Sequence, residues 1–262
     1  MKSLFTSSLA SSLAMSLMAL LGTSAHAAPL LNGTFAQGLQ GWQTAGDVSV
    51  QSTTVAGLSL GSANATLLLG TATTFTDDDA PSAAGTYNLS GNDPVLSGEV
   101  DGLEASLGLP TSALGSDVYE GSSAKQTFSV SAGDVVSFDF LLASRNSGVS
   151  LSESDTAWMS LQIGAGTPGL ITLDNATSPT MISLGNGWLG SNWQHVSFTA
   201  SSTGLLTLGF AVADVGSFTG TSLLGIQNVA VAAAVPEPES LALALTALVL
   251  LGATTRRMHQ SR

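Results

Sequence analysis

Between Phe128 and Val231 rows of apolar residues at every second position recur, a period that only an extended chain can use. Val136, Phe138, Phe140 and Leu142 alternate with Ser137 and Asp139, and Met159, Leu161 and Ile163 alternate with Ser160 and Gln162. Phe128 and Val130 make one short row, Val196 and Phe198 another, and Leu206, Leu208, Phe210 and Val212 a third. Successive side chains of a strand point to opposite faces, so each row can be buried while its neighbours stay in water. Turn clusters at Ser131-Ala132-Gly133-Asp134 and Ser201-Ser202-Thr203-Gly204 separate the rows. Val48, Val50 and the stretch from Thr66 to Phe75 add two or three strands, and Val229 and Val231 close the series. No window between residues 28 and 234 carries a helical stripe. The expected fold is all-β, a jelly-roll-like antiparallel β-sandwich. The chain has no cysteine, so apolar burial must hold it together without disulfides, and thiolate chemistry is excluded.

One stretch breaks the period. From Asp77 to Ser123 the chain is rich in Gly, Ser and Asp, and it is expected to be a long inserted loop region. Leu103 and Leu107, four apart within Glu99 to Leu109, predict a short helix inside it.

Both ends read as address labels. Met1-Lys2, the apolar stretch Leu9 to Leu21 and Ala25-His26-Ala27 make a secretory signal helix over residues 1–27. At the other end, Val235-Pro236-Glu237-Pro238-Glu239-Ser240 precedes an apolar run, Leu241 to Ala253, and then Arg256-Arg257. As a helix that run spans about 20 Å, short of a bilayer core of about 30 Å, and the arginines would keep its end cytoplasmic. Residues 235–262 resemble the PEP-CTERM sorting signal of Gram-negative bacteria that make extracellular polysaccharide; similar tails end some ice-binding proteins. The resemblance implies that an exosortase-type enzyme reads Pro236, Glu237 and Pro238, with Arg256 and Arg257 as the basic end. It also implies transient anchoring in the inner membrane by the C-terminal hydrophobic helix, then delivery to the surface or matrix. The expected ectodomain is residues 28–234.

Within the ectodomain, Asn32-Gly33-Thr34-Phe35 followed by Gly38-Leu39-Gln40-Gly41-Trp42 resembles the opening of carbohydrate-binding-module-like jelly rolls. Asn192-Trp193-Gln194-His195-Val196-Ser197-Phe198 and Gly225-Ile226-Gln227-Asn228-Val229 look like their closing strands. Gln227 stands where such domains commonly have Asp, so the metal ligand sometimes found there is missing. Glu120 to Phe140 is similar to a core block of PEP-CTERM surface proteins.

Charge narrows the partners. Of 18 acidic residues only Glu237 and Glu239 lie outside residues 28–234, and of six Lys and Arg only Lys125 and Arg145 lie inside, which gives −14. Nucleic acid and anionic membrane surfaces are therefore not expected partners. Three catalytic-looking strings fail on context. Gly57-Leu58-Ser59-Leu60-Gly61 lacks the helix that a nucleophile elbow needs, and Ser122-Ser123-Ala124-Lys125 leads into a strand. Gly164-Ala165-Gly166-Thr167-Pro168-Gly169 is followed by β-type residues, with no helix N-terminus for a pyrophosphate. His195, the one histidine of the ectodomain, is expected to face solvent. Glu99 with Glu104, or Glu153 with Asp155, are the carboxylate pairs available for glycoside hydrolysis, and nothing in the sequence sets either in a cleft. No catalytic residue is assigned.

Binding is the reading that remains. Asp77, Asp78 and Asp79 offer oxygen ligands suited to calcium; a solvated acidic loop is the plainer expectation, with Asn92-Asp93 beside it. Sugar rings stack on exposed aromatic faces, and Trp158 and Trp188 are expected to be partly exposed and ligand-binding, whereas Trp42 and Trp193 are expected in the core. The expected function is a non-enzymatic surface or matrix protein associated with exopolysaccharide in a biofilm. The alternatives are a carbohydrate-binding protein with a defined glycan, or an extracellular polysaccharide hydrolase.

Overall fold

A computed structural model describes residues 29–61, 65–74, 87–145 and 154–234. In chain order the strands are β1 (Gln43–Ala45), β2 (Asp47–Gln51), β3 (Thr54–Val55), β4 (Leu58–Ser59), β5 (Thr66–Gly70) and β6 (Val95–Leu96). A one-turn helix, α1 (Leu103–Leu107), follows, then β7 (Val118–Val130), β8 (Val135–Ser144), β9 (Thr156–Ile163) and β10 (Gly169–Asn175). The last strands are β11 (Ile182–Gly185), β12 (Trp188–Gly190), β13 (Gln194–Thr199), β14 (Gly204–Val215) and β15 (Ser222–Ala232). Sheet I runs β1-β7-β14-β9-β10 with β6 also on β7; sheet II runs β11-β12-β8-β15-β5-β2 with β13 also on β8. Neighbours pair antiparallel in both sheets. The two sheets form the jelly-roll-like antiparallel sandwich that the alternation predicts.

The rows of period two are its inner faces. Phe128, Leu206, Leu208, Phe210 and Val212 from sheet I meet Val136, Phe138, Phe140 and Leu142 from sheet II, all at 2% exposure or less. Phe138 and Phe210 meet edge to face across the layers at 4.8 Å between ring centroids. Trp42 packs 6.0 Å from Phe210 and 5.3 Å from Phe35, so the opening motif joins the same aromatic cluster. Such pairs add about 0.5–1.5 kcal/mol each beyond their buried area.

A second layer covers part of each outer face, and it is this layer that alternation does not report. On sheet I, Leu103 and Leu107 of α1, with Leu109 and Leu114, pack over Trp158, Ala211 and Ala213. On sheet II, Val55, Leu58 and Leu60 from the β3–β4 hairpin and Trp188 pack over Leu68, Leu141, Ala143 and Leu223. The predicted helix is thus present and its two leucines form its buried side. Residues 118–123, expected in the inserted loop, are instead the first half of β7. Their apolar period is missing because small and polar residues are buried there: Ser122 Oγ donates to Gly70 O at 2.6 Å and accepts from Asp47 N at 2.8 Å, joining the two sheets.

Two buried carboxylates hold the described part of the insert. Glu104 accepts from Ser97 Oγ at 2.7 Å and Gly98 N at 2.9 Å. Asp47 accepts from Leu89 N at 3.0 Å and Ser90 N at 2.7 Å, and burial raises its pKa above the ordinary carboxylate value despite those bonds. Asp134 is the reverse case. Its carboxylate accepts from Ser131 N and Ala234 N on the surface, and these bonds lower its pKa.

Two outcomes test this account. Gly33 lies against β15, Val229 N donating to Gly33 O at 3.0 Å, and a Cβ on Gly33 would overlap the Val229 carbonyl. Gly33→Ala should therefore cost about 2–4 kcal/mol in denaturant unfolding, because backbone rather than a pliant side chain must move. Asp47 binds its proton more tightly folded than unfolded, so its contribution is greatest below the unfolded pKa and is lost as pH rises through the folded one. Stability relative to Asp47→Asn should fall across that window; a difference independent of pH would refute the assignment.

Candidate functional site

The outer face of sheet II away from the β3–β4 hairpin carries a row of hydrogen-bonding side chains that crosses five strands, buried at Thr66 and Gln227 and open to solvent at Asp139 and His195. Register sets it: Gln51 on β2 lies opposite Thr66 on β5, Gln227 on β15 opposite Asp139 on β8, and Asp139 opposite His195 on β13. Gln227 Nε2 donates to Thr66 Oγ1, closing the row between β15 and β5. The Asp139 carboxylate is shared, with Oδ1 2.7 Å from His195 Nδ1 and Oδ2 accepting from Asn228 Nδ2 at 2.7 Å. Asn228 reaches it because the β15 register shifts between Gln227 and Ala230, and its backbone takes a left-handed φ of 54°. A bulge of this kind re-aims a side chain, and asparagine tolerates the conformation better than most residues.

Burial is graded along the row. Gln227 and Thr66 are buried, Asp139 is 27% exposed at its side chain and His195 63%. In neutral His195 the Asp139 bond keeps the proton on Nδ1, so Nε2 presents a lone pair to solvent. Ser137 and Ser197 form the adjacent cross-strand pair. Trp193 forms the wall, half-buried, its indole N–H donating to Leu60 O at 3.0 Å. Its ring lies over Gly225 on the same face, where a Cβ would come within 3.2 Å of Cη2. The result is a flat strip of donors and acceptors beside an aromatic edge.

The two tryptophans expected at a ligand surface are not exposed. Trp158 has the outward parity the sequence indicates, yet α1 and its following loop cover that face and leave it 6% exposed. Trp188 is fully buried: the β3–β4 hairpin packs over it, its N–H donates to Ala56 O at 3.1 Å, and Tyr87 meets it edge-on at 5.7 Å. Arg145 lies 4.8 Å from the Tyr87 ring, which uses one of the two ectodomain cations structurally. Trp42 is buried as expected. The functional candidates that sequence reasoning passed over are Asp139, Gln227 and Asn228, with Trp193 assigned to the core and His195 to solvent. The available signal was the pair of closing-strand motifs at residues 192–198 and 225–229, which register brings to one face.

The rejected strings stay rejected on structural grounds. Ser59 lies on a two-residue strand of the β3–β4 hairpin, Ser122 and Lys125 sit within β7, and residues 164–169 form the β9–β10 turn. Glu104 is consumed in holding the insert, and Asp155 accepts from Ser222 Oγ at 2.5 Å at the start of β15. Asp77, Asp78 and Asp79 lie outside the described residues, as do Pro236, Glu237, Pro238, Arg256 and Arg257. Asp93 accepts from Thr74 N at 2.7 Å within its own loop. Among the described residues no group of three or more His, Asp or Glu could hold a metal ion, and no helix is long and apolar enough to cross a membrane.

No family model matches the chain, and no curated protein matches it. Several solved structures are similar to it at low identity and low TM-score. A family 61 carbohydrate-binding module in complex with β-1,4-galactotriose is 11% identical, with 77% of this chain and 95% of that chain covered and a TM-score of 0.39. A family 28 module specific for non-crystalline cellulose is 16% identical over 80% of this chain and 99% of that one, at a TM-score of 0.37. The C-terminal family 22 module of Clostridium thermocellum Xyn10B is 15% identical over 80% and 99%, at 0.32. Likeness at this level bears on neither ligand nor site, and the sandwich assignment stands on the sheets themselves.

Proposed function

We propose that this chain is an exported, non-enzymatic surface or matrix protein that contacts extracellular polysaccharide through the outer face of sheet II. The observation that carries the reading is the shared Asp139 carboxylate, held between His195 and Asn228 on an exposed sheet face beside Trp193. Sugar hydroxyls both donate and accept, so recognition favours fixed groups of both kinds in one plane, with an apolar edge for the C–H face of the ring. His195 Nε2 supplies an acceptor, the free lone pairs of Asp139 supply others, and the Asn228 amide and Ser197 hydroxyl add groups of both kinds. The −14 ectodomain charge and the Asp139 carboxylate favour neutral glycans over polyanionic ones. Export and sorting rest on the two end segments: the signal helix over residues 1–27, and Pro236-Glu237-Pro238 with Arg256-Arg257 as the recognition element of an exosortase-type partner.

Two measurements test the two halves of the proposal. In affinity electrophoresis or calorimetry against the producing cell's own exopolysaccharide, His195→Ala and Asp139→Ala should each weaken binding about tenfold or more, about 1.4 kcal/mol, while far-UV circular dichroism is unchanged. Equal binding by both variants would remove sheet II as the ligand face. Replacing Pro236 and Pro238 by Ala should leave the protein with the cell membrane fraction, whereas the native chain appears at the surface or in the matrix. Unaltered distribution would remove the sorting reading.

A further inference from the structure

The sandwich is closed at one side and open at the other. Short strands edge most of the molecule: β1 has three residues, β6 two, β11 four and β2 five. The exception is the side where β10, seven residues long, ends sheet I, and β13, six residues long, lies outermost beside β8 in sheet II. Gln194 Nε2 at the start of β13 donates to Asp174 Oδ2 near the end of β10 at 3.3 Å, so the two free edges lie on one side. Between them the core is incompletely covered. Ile171 faces inward, opposite the buried Met159, yet is 49% exposed, and Leu173, Val196 and Phe198 are only partly buried.

β10 carries few of the devices that keep a free edge from pairing, and the two it has, a bulge and the inward Asp174 carboxylate, lie at its C-terminal end. It has no proline, no lysine and no outward carboxylate. Its one ionisable residue, Asp174, is buried and accepts from Thr180 Oγ1 at 3.1 Å as well as from Gln194. Its register against β9 shifts only between Thr172 and Asp174, so Gly169 to Thr172 form a regular free edge. Among the described residues, one row of main-chain N–H and C=O groups there has no neighbouring strand, and main-chain groups of that kind are satisfied by a further strand.

We propose that this edge is a self-association surface: two copies of the chain join β10 to β10 antiparallel about a two-fold axis, extending sheet I across the dimer. Charge lets a second copy approach on this side. An ectodomain at −14 repels another copy over most of its surface, and the strands on this side, β9, β10 and β13, hold only the buried Asp174 and His195 as ionisable groups. The incoming strand must be apolar, extended and uncharged, and Gly169-Leu170-Ile171-Thr172 is such a strand. Antiparallel pairing of one strand with its own copy is isologous and closes at two, so it does not propagate into fibres. The inward-facing Ile171 of each copy gains cover from the other, which continues the apolar core across the seam. The His195 end of the polar row lies on the same side, so a dimer would present two rows from one assembly, whatever they bind.

Sedimentation equilibrium of the full chain over a dilution series tests this. The native chain should show a monomer–dimer equilibrium, and Ile171→Lys and Thr172→Lys should each shift it to monomer without lowering the melting temperature by more than a few degrees. Both positions are exposed in the single chain, so neither substitution removes core packing. Gln43→Lys, on the opposite edge of sheet I, should leave the dimer intact. Association through the apolar tail would be common to all four chains, so only the difference between them is read. A monomeric mass at every concentration, or a dimer that survives both β10 substitutions, would overturn the proposal.

Discussion

Phe210 is the residue on which the sandwich turns. It projects from β14, the strand that pairs with both β7 and β9, into the space between the sheets, where it meets Phe138 of sheet II and Trp42 of the opening segment. The contact ties three parts of the chain that are far apart in sequence: the start, the centre and the end of the sandwich. With no cysteine anywhere, this aromatic cluster and the aliphatic rows around it do the work that disulfides do in smaller exported domains. The opening motif is therefore architectural. Phe35 and Trp42 fill the end of the core, and Gly33 lets the backbone lie against β15.

Once the core is closed, the outer faces decide what the protein can touch. A sheet in a two-layer sandwich can leave its outer face in water, and here each sheet does so over only part of its width. The covered parts are held by polar anchors as much as by leucines. Glu104 and Asp47 turn backbone N–H groups of an irregular segment inward and satisfy them, which lets a loop rich in Gly, Ser and Asp lie in a fixed place. The burial of Asp47 opposes its ionisation, so this anchoring is purchased at some cost in stability at neutral pH. The covering of sheet I buries Trp158 and the covering of sheet II buries Trp188, leaving the Asp139, Asn228 and His195 end of the row as the organised polar surface of sheet II.

The strands were legible in the sequence because burial on one face imposes a period of two, and Phe138, Phe140, Leu208 and Phe210 fall where that period puts them. The helix was legible too, from Leu103 and Leu107. What alternation could not convey is burial on both faces. Leu141 and Ala143 have outward parity on β8 and are buried under Trp188 and the β3–β4 hairpin, and Trp158 is buried in the same way under α1. The first half of β7 escapes the period for the opposite reason: its buried residues are Glu120, Gly121, Ser122 and Ser123, and a strand that packs by hydrogen bonds and small or polar side chains has no hydrophobic signature. The candidate site was hidden because it is a property of register. Asp139, His195 and Asn228 are spread over 89 residues and meet only after β8, β13 and β15 have paired and the bulge at Asn228 has formed.

The position of that row follows from the same constraint that shapes the core. A polar row on a sheet face needs neighbours of matching length, and β8, β13 and β15 are the strands of sheet II long enough to align beyond the reach of the covering hairpins. Close to the β3–β4 hairpin the outer residues must be apolar; farther along β8 they are free to be Ser137 and Asp139. Trp193 stands at the boundary, with its N–H committed to Leu60 of the covering layer and its ring over Gly225 at the head of the row. A bulkier residue at 225 would lift the ring and separate the apolar edge from the polar strip. The arrangement therefore couples the covering layer to the polar row: the hairpin that buries Trp188 also fixes the Trp193 wall beside Asp139 and His195.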